Sequence, residues 1–165
     1  MKVERAYKKK AKRKRTDTVF LPVKPKWANM IIRGEKQAEL RKRNFPLHVT
    51  KAVIYSTEPE GKILGWYEID DVIEMSIEQA RFVGENGLQE SSHKVLVKDF
   101  NNYYKGCDVA RVVFMGCEFQ EFHRSKCFHP SEVLPNFHIP QSFCYLEDWE
   151  FEEICEFGKT GHLSK

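Results

Sequence analysis

Between Gly34 and Arg43 the chain reads GEKQAELRKR, and this stretch holds the residue types best suited to binding or cleaving a polyanion. If residues 37–43 form a strand, period two puts Gln37, Glu39, Arg41 and Arg43 on one face and Ala38 and Leu40 on the other. Lys36 and Arg41 supply the fixed positive charge that a phosphate needs. Glu39 supplies an acceptor for a base N–H or, in a hydrolase, a carboxylate base beside two cations. The same residues also suit a plain structural purpose, with Glu39 pairing to Lys36 or Arg41 and holding the strand against its neighbour. Both uses fit the sequence.

The N-terminus is the second chemistry-bearing stretch. Residues 1–15 carry nine Lys or Arg against one acid, Glu4. The chain as a whole has 27 basic and 24 acidic residues, so the other 150 residues hold 18 and 23 and are net acidic. A bare polybasic tail attracts polyanions through counterion release without choosing a sequence, and it equally suits a solvated tail or an import signal. Cys117, His123, Cys127 and His129 bring metal-ligand types into one segment, but their spacing matches no compact structural-zinc pattern, so no metal is expected. No phosphate-binding glycine loop or Gly-x-Ser-x-Gly elbow is present, and no cofactor is expected.

These side chains need elements to place them. Thr18–Lys24 is rich in β-formers, with Pro22 marking an edge or bulged strand. Pro25 suits a first helical turn, Trp27, Ala28, Ile31 and Ile32 recur at helical spacing, and Gly34 offers a left-handed stop. Trp27 and Ile31 are expected in the core. The strand 37–43 follows, then Lys51–Thr57, then a long strand Lys62–Met75 in which Gly65 marks a bulge or bend. Helices are expected over Ile77–Glu85 and Ser92–Tyr104, and a strongly apolar strand over Asp108–Phe119. Residues 120–140 are irregular, Ser142–Leu146 reads as a last short strand, and the acidic stretch Glu147–Glu156 is either a helix or unstructured.

A length of 165 residues fits one domain, and the 41% hydrophobic and 31% charged shares suit a folded soluble chain. No apolar run is long enough to span a bilayer, and the basic start has no apolar stretch behind it, so neither a membrane partner nor a secretory signal is expected. Five cysteines without a C-x-x-C pair suggest reduced thiols in the cytoplasm. The pattern implies an α+β fold: a small mixed β-barrel with a plug helix and a helical insertion. The expected organisation is a disordered basic tail at 1–15, a barrel domain at 16–150 and a C-terminal tail at 151–165.

The stretch LPVKPKWANMIIRGEKQAELRKR, Leu21 to Arg43, resembles the opening of ASCH and related PUA-like domains, and Ile31 to Arg41 follows the Ile-x-x-Gly-x-Lys-x-x-Glu-x-Arg pattern. Ala52–Pro59, with its Tyr-(small)-Thr-x-Pro ending, and Pro140-Gln141-Ser142-Phe143 also resemble family segments. The resemblance covers roughly residues 18–146 and implies a barrel with a cleft between plug helix and barrel mouth. Superfamily members bind RNA, modified bases or nucleotides there, and a few are small hydrolases. It places Lys36, Glu39 and Arg41 in the cleft with Lys24 and Arg43 at its rim. Ser56, Gln141 and Ser142 are further expected contacts in the matched segments, and on the chemistry of the residues themselves Tyr55 or Trp66 is expected to offer the stacking face. In an acetylcytidine amidohydrolase branch, threonines stand where this chain has Gln37 and Glu39. That departure argues against the amidohydrolase reaction, because a carboxylate cannot replace an activated hydroxyl in acyl transfer.

Three functions therefore remain in view. The first is a nucleic-acid-binding domain, for RNA rather than DNA, or one for a modified base or nucleotide. The second is a small hydrolase, either a ribonuclease using Lys36, Glu39 and Arg41 or a modified-nucleoside hydrolase. The third is a factor that contacts a protein partner through residues 76–104.

Overall fold

Every residue of Thr18–Val23 is buried, as expected of a β-rich apolar run, and this strand, β1, organises one side of the molecule. The computed structural model describes residues 13–86 and 93–161. Helix α1 (Pro25–Ile32) follows at once, with proline in its first turn. It ends in a Schellman arrangement: Gly34 adopts φ 71°, its N–H reaches Ile31 O at 3.0 Å, and the Glu35 N–H reaches Met30 O at 2.9 Å. The reversal leads directly into β2 (Ala38–Arg41).

The remaining strands are β3 (Lys51–Ser56), β4 (Lys62–Ser76), β5 (Val109–Glu121) and β6 (Cys144–Leu146). The helices are α2 (Ile77–Asn86), α3 (His93–Tyr103) and α4 (Asp148–Thr160). The described strands form one sheet in the order β2-β5-β4-β3-β1-β6. β1 and β3 run parallel and every other pair antiparallel. The sheet curls into a half-barrel, so the expected α+β class holds. Gly65 is where the curl tightens: the β3–β4 register shifts beside it, its φ is 151°, and a Cβ there would sit 2.2 Å from Gln120 O.

Alternation sorts the apolar residues into three clusters. Val19, Leu21, Ala52, Ile54, Tyr67 and Val113 line the inside of the curl, with Ala28 and Ile31 of α1 plugging it. Phe20, Val53, Tyr55 and Ile63 face the opposite side and are covered by the 122–137 segment and α4. Ala110, Val112 and Tyr104 form the third cluster, with Ala38 and Leu40 packed against it. Trp27 is only half-buried, with the Lys26 ammonium 4.6 Å above its ring, whereas Ile31 is buried as expected. No helix among the described residues is long and apolar enough to cross a membrane.

Two expected boundaries need correction. Residues 151–161 are not a tail. Glu147 and Glu150 form a capping box, Gly161 closes α4 in the left-handed conformation, and Ile154 is fully buried, with Phe151 and Phe157 packed against the same cluster. The apolar spacing 151, 154, 157 was present in the sequence but lay among acids. At the other end, residues 1–12 lie outside the described residues, but Arg13, assigned to the tail, is held on the body. It pairs with the buried Glu150 carboxylate through Nη1 at 2.5 Å and Nη2 at 3.0 Å, donates to Tyr145 O at 3.1 Å, and stands 5.0 Å from the Phe137 ring centroid. A guanidinium is what that buried carboxylate needs. The strands also differ at their ends: β2 stops at Arg41, β5 runs on to Glu121, and β6 begins at Cys144.

If α4 belongs to the cooperative unit, Ile154→Ala will lower unfolding stability by about 2–5 kcal/mol, the usual cost of truncating a buried aliphatic. Urea denaturation measures this, and an unchanged midpoint would place the helix outside the folding unit.

Candidate nucleic-acid site

Three charged residues occupy the inside of the curl, and β2 is the reason. Glu39 stands opposite Val113 of β5, so its side chain shares the inner face with that buried valine, and Arg41 follows two residues on. Ala38 and Leu40, on the alternate face, pack under α2 and α3 instead. The charged face of this strand is therefore the interior one. Lys36 arrives from the Schellman reversal after α1. Lys36, Glu39 and Arg41 are 7%, 7% and 8% exposed, so they form a buried ion cluster and not a solvated face.

The cluster is tightly connected. Lys36 Nζ lies 2.5 Å from Glu39 Oε2 and donates to Ala38 O at 2.6 Å. Arg41 Nη2 lies 2.9 Å from Glu39 Oε1 and also donates to Pro22 O at 2.9 Å, while Nη1 reaches Ser142 O at 3.4 Å. Burial pushes the Glu39 carboxyl upward, but the charges of Lys36 and Arg41 and their hydrogen bonds outweigh it, so the group is held below the usual carboxylate range. The set carries one net positive charge.

Among the described residues, three buried polar atoms of the inner face have no hydrogen-bond partner: Arg41 Nε, Ser56 Oγ and Tyr67 Oη. All belong to the inner face. Ser56 follows Ile54 by two residues on β3, and Tyr67 stands opposite Ala52. Ser56 is also level with Val23, one step beyond the Pro22 carbonyl that Arg41 grips. Burial raises the Tyr67 hydroxyl pKa, Glu39 pushes it further up and Arg41 opposes, so the phenol stays protonated and remains a donor. Leaving such groups unpaired costs roughly 1–3 kcal/mol each.

The other expected residues divide. Lys24 is exposed at the start of α1, Arg43 is exposed just past β2, and Gln141 is exposed beside Ser142. Ser142 contributes its backbone carbonyl to Arg41. Tyr55 and Trp66 are not platforms for this face. Tyr55 packs with Phe20 and His129, and Trp66 meets Phe151 of α4, because period two turns both to the opposite side of the sheet. Tyr67, one position beyond Trp66, is the inward aromatic, and alternation along β4 carried that signal. Tyr104, whose hydroxyl donates to Arg41 O at 2.9 Å, had no such signal because the contact spans 63 residues.

For the weighed metal set, the Cys117 side chain lies outside the described residues. His123 and His129 each pair with a neighbouring serine, and Cys127 Sγ contacts the carbonyls of Phe122 and His123. Among the described residues no three metal-ligating side chains converge. Two surface grooves lie away from the ion cluster. One, beside α2, includes Ile73, Met75 and Phe82; the other lies beside α4.

Glu39→Gln leaves two buried cations without their anion and should cost about 3–5 kcal/mol at neutral pH. Because the folded carboxyl pKa is depressed, its contribution is complete above the unfolded value near 4 and is lost as pH falls through the folded value. The stability gap between wild type and Glu39→Gln is therefore expected to be large at pH 7 and to shrink below about pH 4. Chemical denaturation at a series of pH values measures it, and a gap independent of pH would refute the ion-pair assignment.

The ASCH domain profile matches residues 21–159. Among solved structures, an ASCH protein from Zymomonas mobilis superposes with a TM-score of 0.71 at 19% identity, over 85% of this chain and 94% of that one. Its Ser→Ala variant gives a TM-score of 0.72 at 19% identity, covering 85% and 95%. A Tyr→Phe variant gives 0.72 at 18%, covering 86% and 98%. No curated protein matches the chain.

Proposed function

This chain belongs to the ASCH domain family, and from that premise we propose that it binds nucleic acid, RNA in preference to DNA, or a nucleotide, on the inner face of its half-barrel. ASCH is a PUA-like fold often associated with RNA binding. One observation carries the proposal: Arg41 Nε, Ser56 Oγ and Tyr67 Oη are unpaired beside a buried cluster of net positive charge. Unpaired buried donors next to fixed cations can hydrogen-bond an anionic or acceptor-rich ligand that opens its way into the curl, without breaking an existing protein hydrogen bond. Lys24, Arg43 and Gln141 would meet the ligand at the rim. Binding is favoured over hydrolysis because both Glu39 oxygens are engaged by cations and its carboxyl is held low, which makes a weak general base.

Fluorescence anisotropy with single-stranded RNA, duplex RNA and single-stranded DNA across a salt series tests this. Lys24→Ala and Arg43→Ala should each weaken binding and flatten the log–log salt slope by about one unit. Ser56→Ala and Tyr67→Phe should weaken binding roughly fivefold, about 1 kcal/mol, while melting curves stay level or rise, since each removes an unpaired buried hydroxyl. Intact affinity in both hydroxyl variants would make the cluster purely structural.

A further inference from the structure

Holding an unpaired base takes an aromatic face, and the two residues expected to offer one, Tyr55 and Trp66, are turned to the far side of the sheet. The exposed aromatics among the described residues are Phe82, Tyr103 and Trp149. Phe82 shares its groove with Glu74 and Glu78, and Trp149 donates its indole N–H to Glu147 at 2.8 Å. Acids beside a ring repel the phosphates that a stacked base brings with it. Tyr103, 39% exposed at the end of α3, has the opposite setting. The Lys42 ammonium stands 4.9 Å from its ring centroid, and both Lys42 and Arg43, the next residue, are exposed. The ring is also fixed at the mouth of the site. Tyr104 meets it at 4.7 Å and 78°, and the Tyr104 hydroxyl is itself tied to Arg41 O. The Tyr103 hydroxyl turns toward the same place. Burial raises its pKa, the charges of Arg41 and Glu39 act on it in opposite senses, and it is hydrogen-bonded to the Lys42 backbone.

We propose that Tyr103 stacks an unpaired base at the mouth of the inner face, which makes the helical insertion one wall of the binding site and selects single strands over duplex. This rests on the nucleic-acid reading above and supplies the aromatic face that Tyr55 and Trp66 do not. Lys42 covers the ring in the free protein. That is an exposed cation–π contact, weaker than the stacking of a base, so the base takes the face and the flexible ammonium turns to the adjoining phosphate. In a duplex every base is already paired and stacked, so Tyr103 gains nothing there without opening the helix.

Fluorescence anisotropy with oligo(U), and with a strand of equal length whose residues are all abasic, separates stacking from charge. Tyr103→Leu should weaken oligo(U) binding about five- to tenfold while leaving the affinity for the abasic strand and the salt slope as in wild type. Tyr103→Phe keeps the ring and should bind oligo(U) within about twofold of wild type. Oligo(U) carrying 5-iodouridine should photo-cross-link to Tyr103 in the wild-type chain, a readout that needs no variant. Equal loss on both strands, no loss on oligo(U), or cross-links to Trp27 or Phe82 in place of Tyr103 would overturn the proposal. Absence of oligo(U) binding by the wild type would overturn the nucleic-acid reading with it, whereas wild-type binding untouched by Tyr103→Leu overturns the role of Tyr103 alone.

Discussion

A curled sheet whose edge strands do not pair with each other must be closed by other contacts, and here one buried guanidinium supplies much of that closure. β2 is one edge and β6 the other, with β1 beside it. Arg41 on β2 reaches the Pro22 carbonyl of β1 and the Ser142 carbonyl just before β6, so one side chain spans the seam. Pro22 suits its place there. β6 pairs only with Thr18 to Phe20, and a strand residue's N–H and C=O point the same way, so the proline's missing N–H faces the seam and not a ladder.

Placing that cation in an apolar interior creates the demand that the rest of the site answers. A buried guanidinium needs an anion, which Glu39 provides from the same strand face, and Lys36 then satisfies the second carboxylate oxygen. Tyr104 anchors the Arg41 backbone from beneath, coupling the helical insertion to the seam. Structural and binding roles thus need not compete. The network that closes the barrel also concentrates positive charge beside unpaired donors, and the Ser56 and Tyr67 hydroxyls take no part in the hydrogen bonds across the seam.

The opposite face of the sheet has a different character. Its aromatic residues pack among themselves and under α4, as in the Phe20–Phe137, Trp66–Phe151 and Phe128–Phe157 pairs. The thiols of Cys144 and Cys155, both half-buried, are pushed up to about 11 mainly by burial, so both are protonated near neutrality. At the start of α4, Arg13 meets the buried Glu150 carboxylate.

The sequence alone determined those features that depend on local geometry. Pro25 and Gly34 bounded α1, Gly65 marked the bend, and the 34–41 motif identified both the family resemblance and the three residues that cluster. Period two correctly put Glu39 and Arg41 on one face. It could not say which face was interior, because a charged strand face normally meets water and only the closed seam makes burial affordable. Tyr55 was misplaced for the same reason: alternation separates it from Ser56, and its side is decided by what packs above the sheet. The acids of 147–156 hid a helix whose apolar stripe becomes visible only once the cluster around Phe20, Val53 and Ile63 exists to receive it. Arg13–Glu150 and Tyr104–Arg41 join residues 137 and 63 positions apart, and such contacts are products of topology. Tertiary structure decided them because a buried charge finds its partner in space, wherever the chain happens to return.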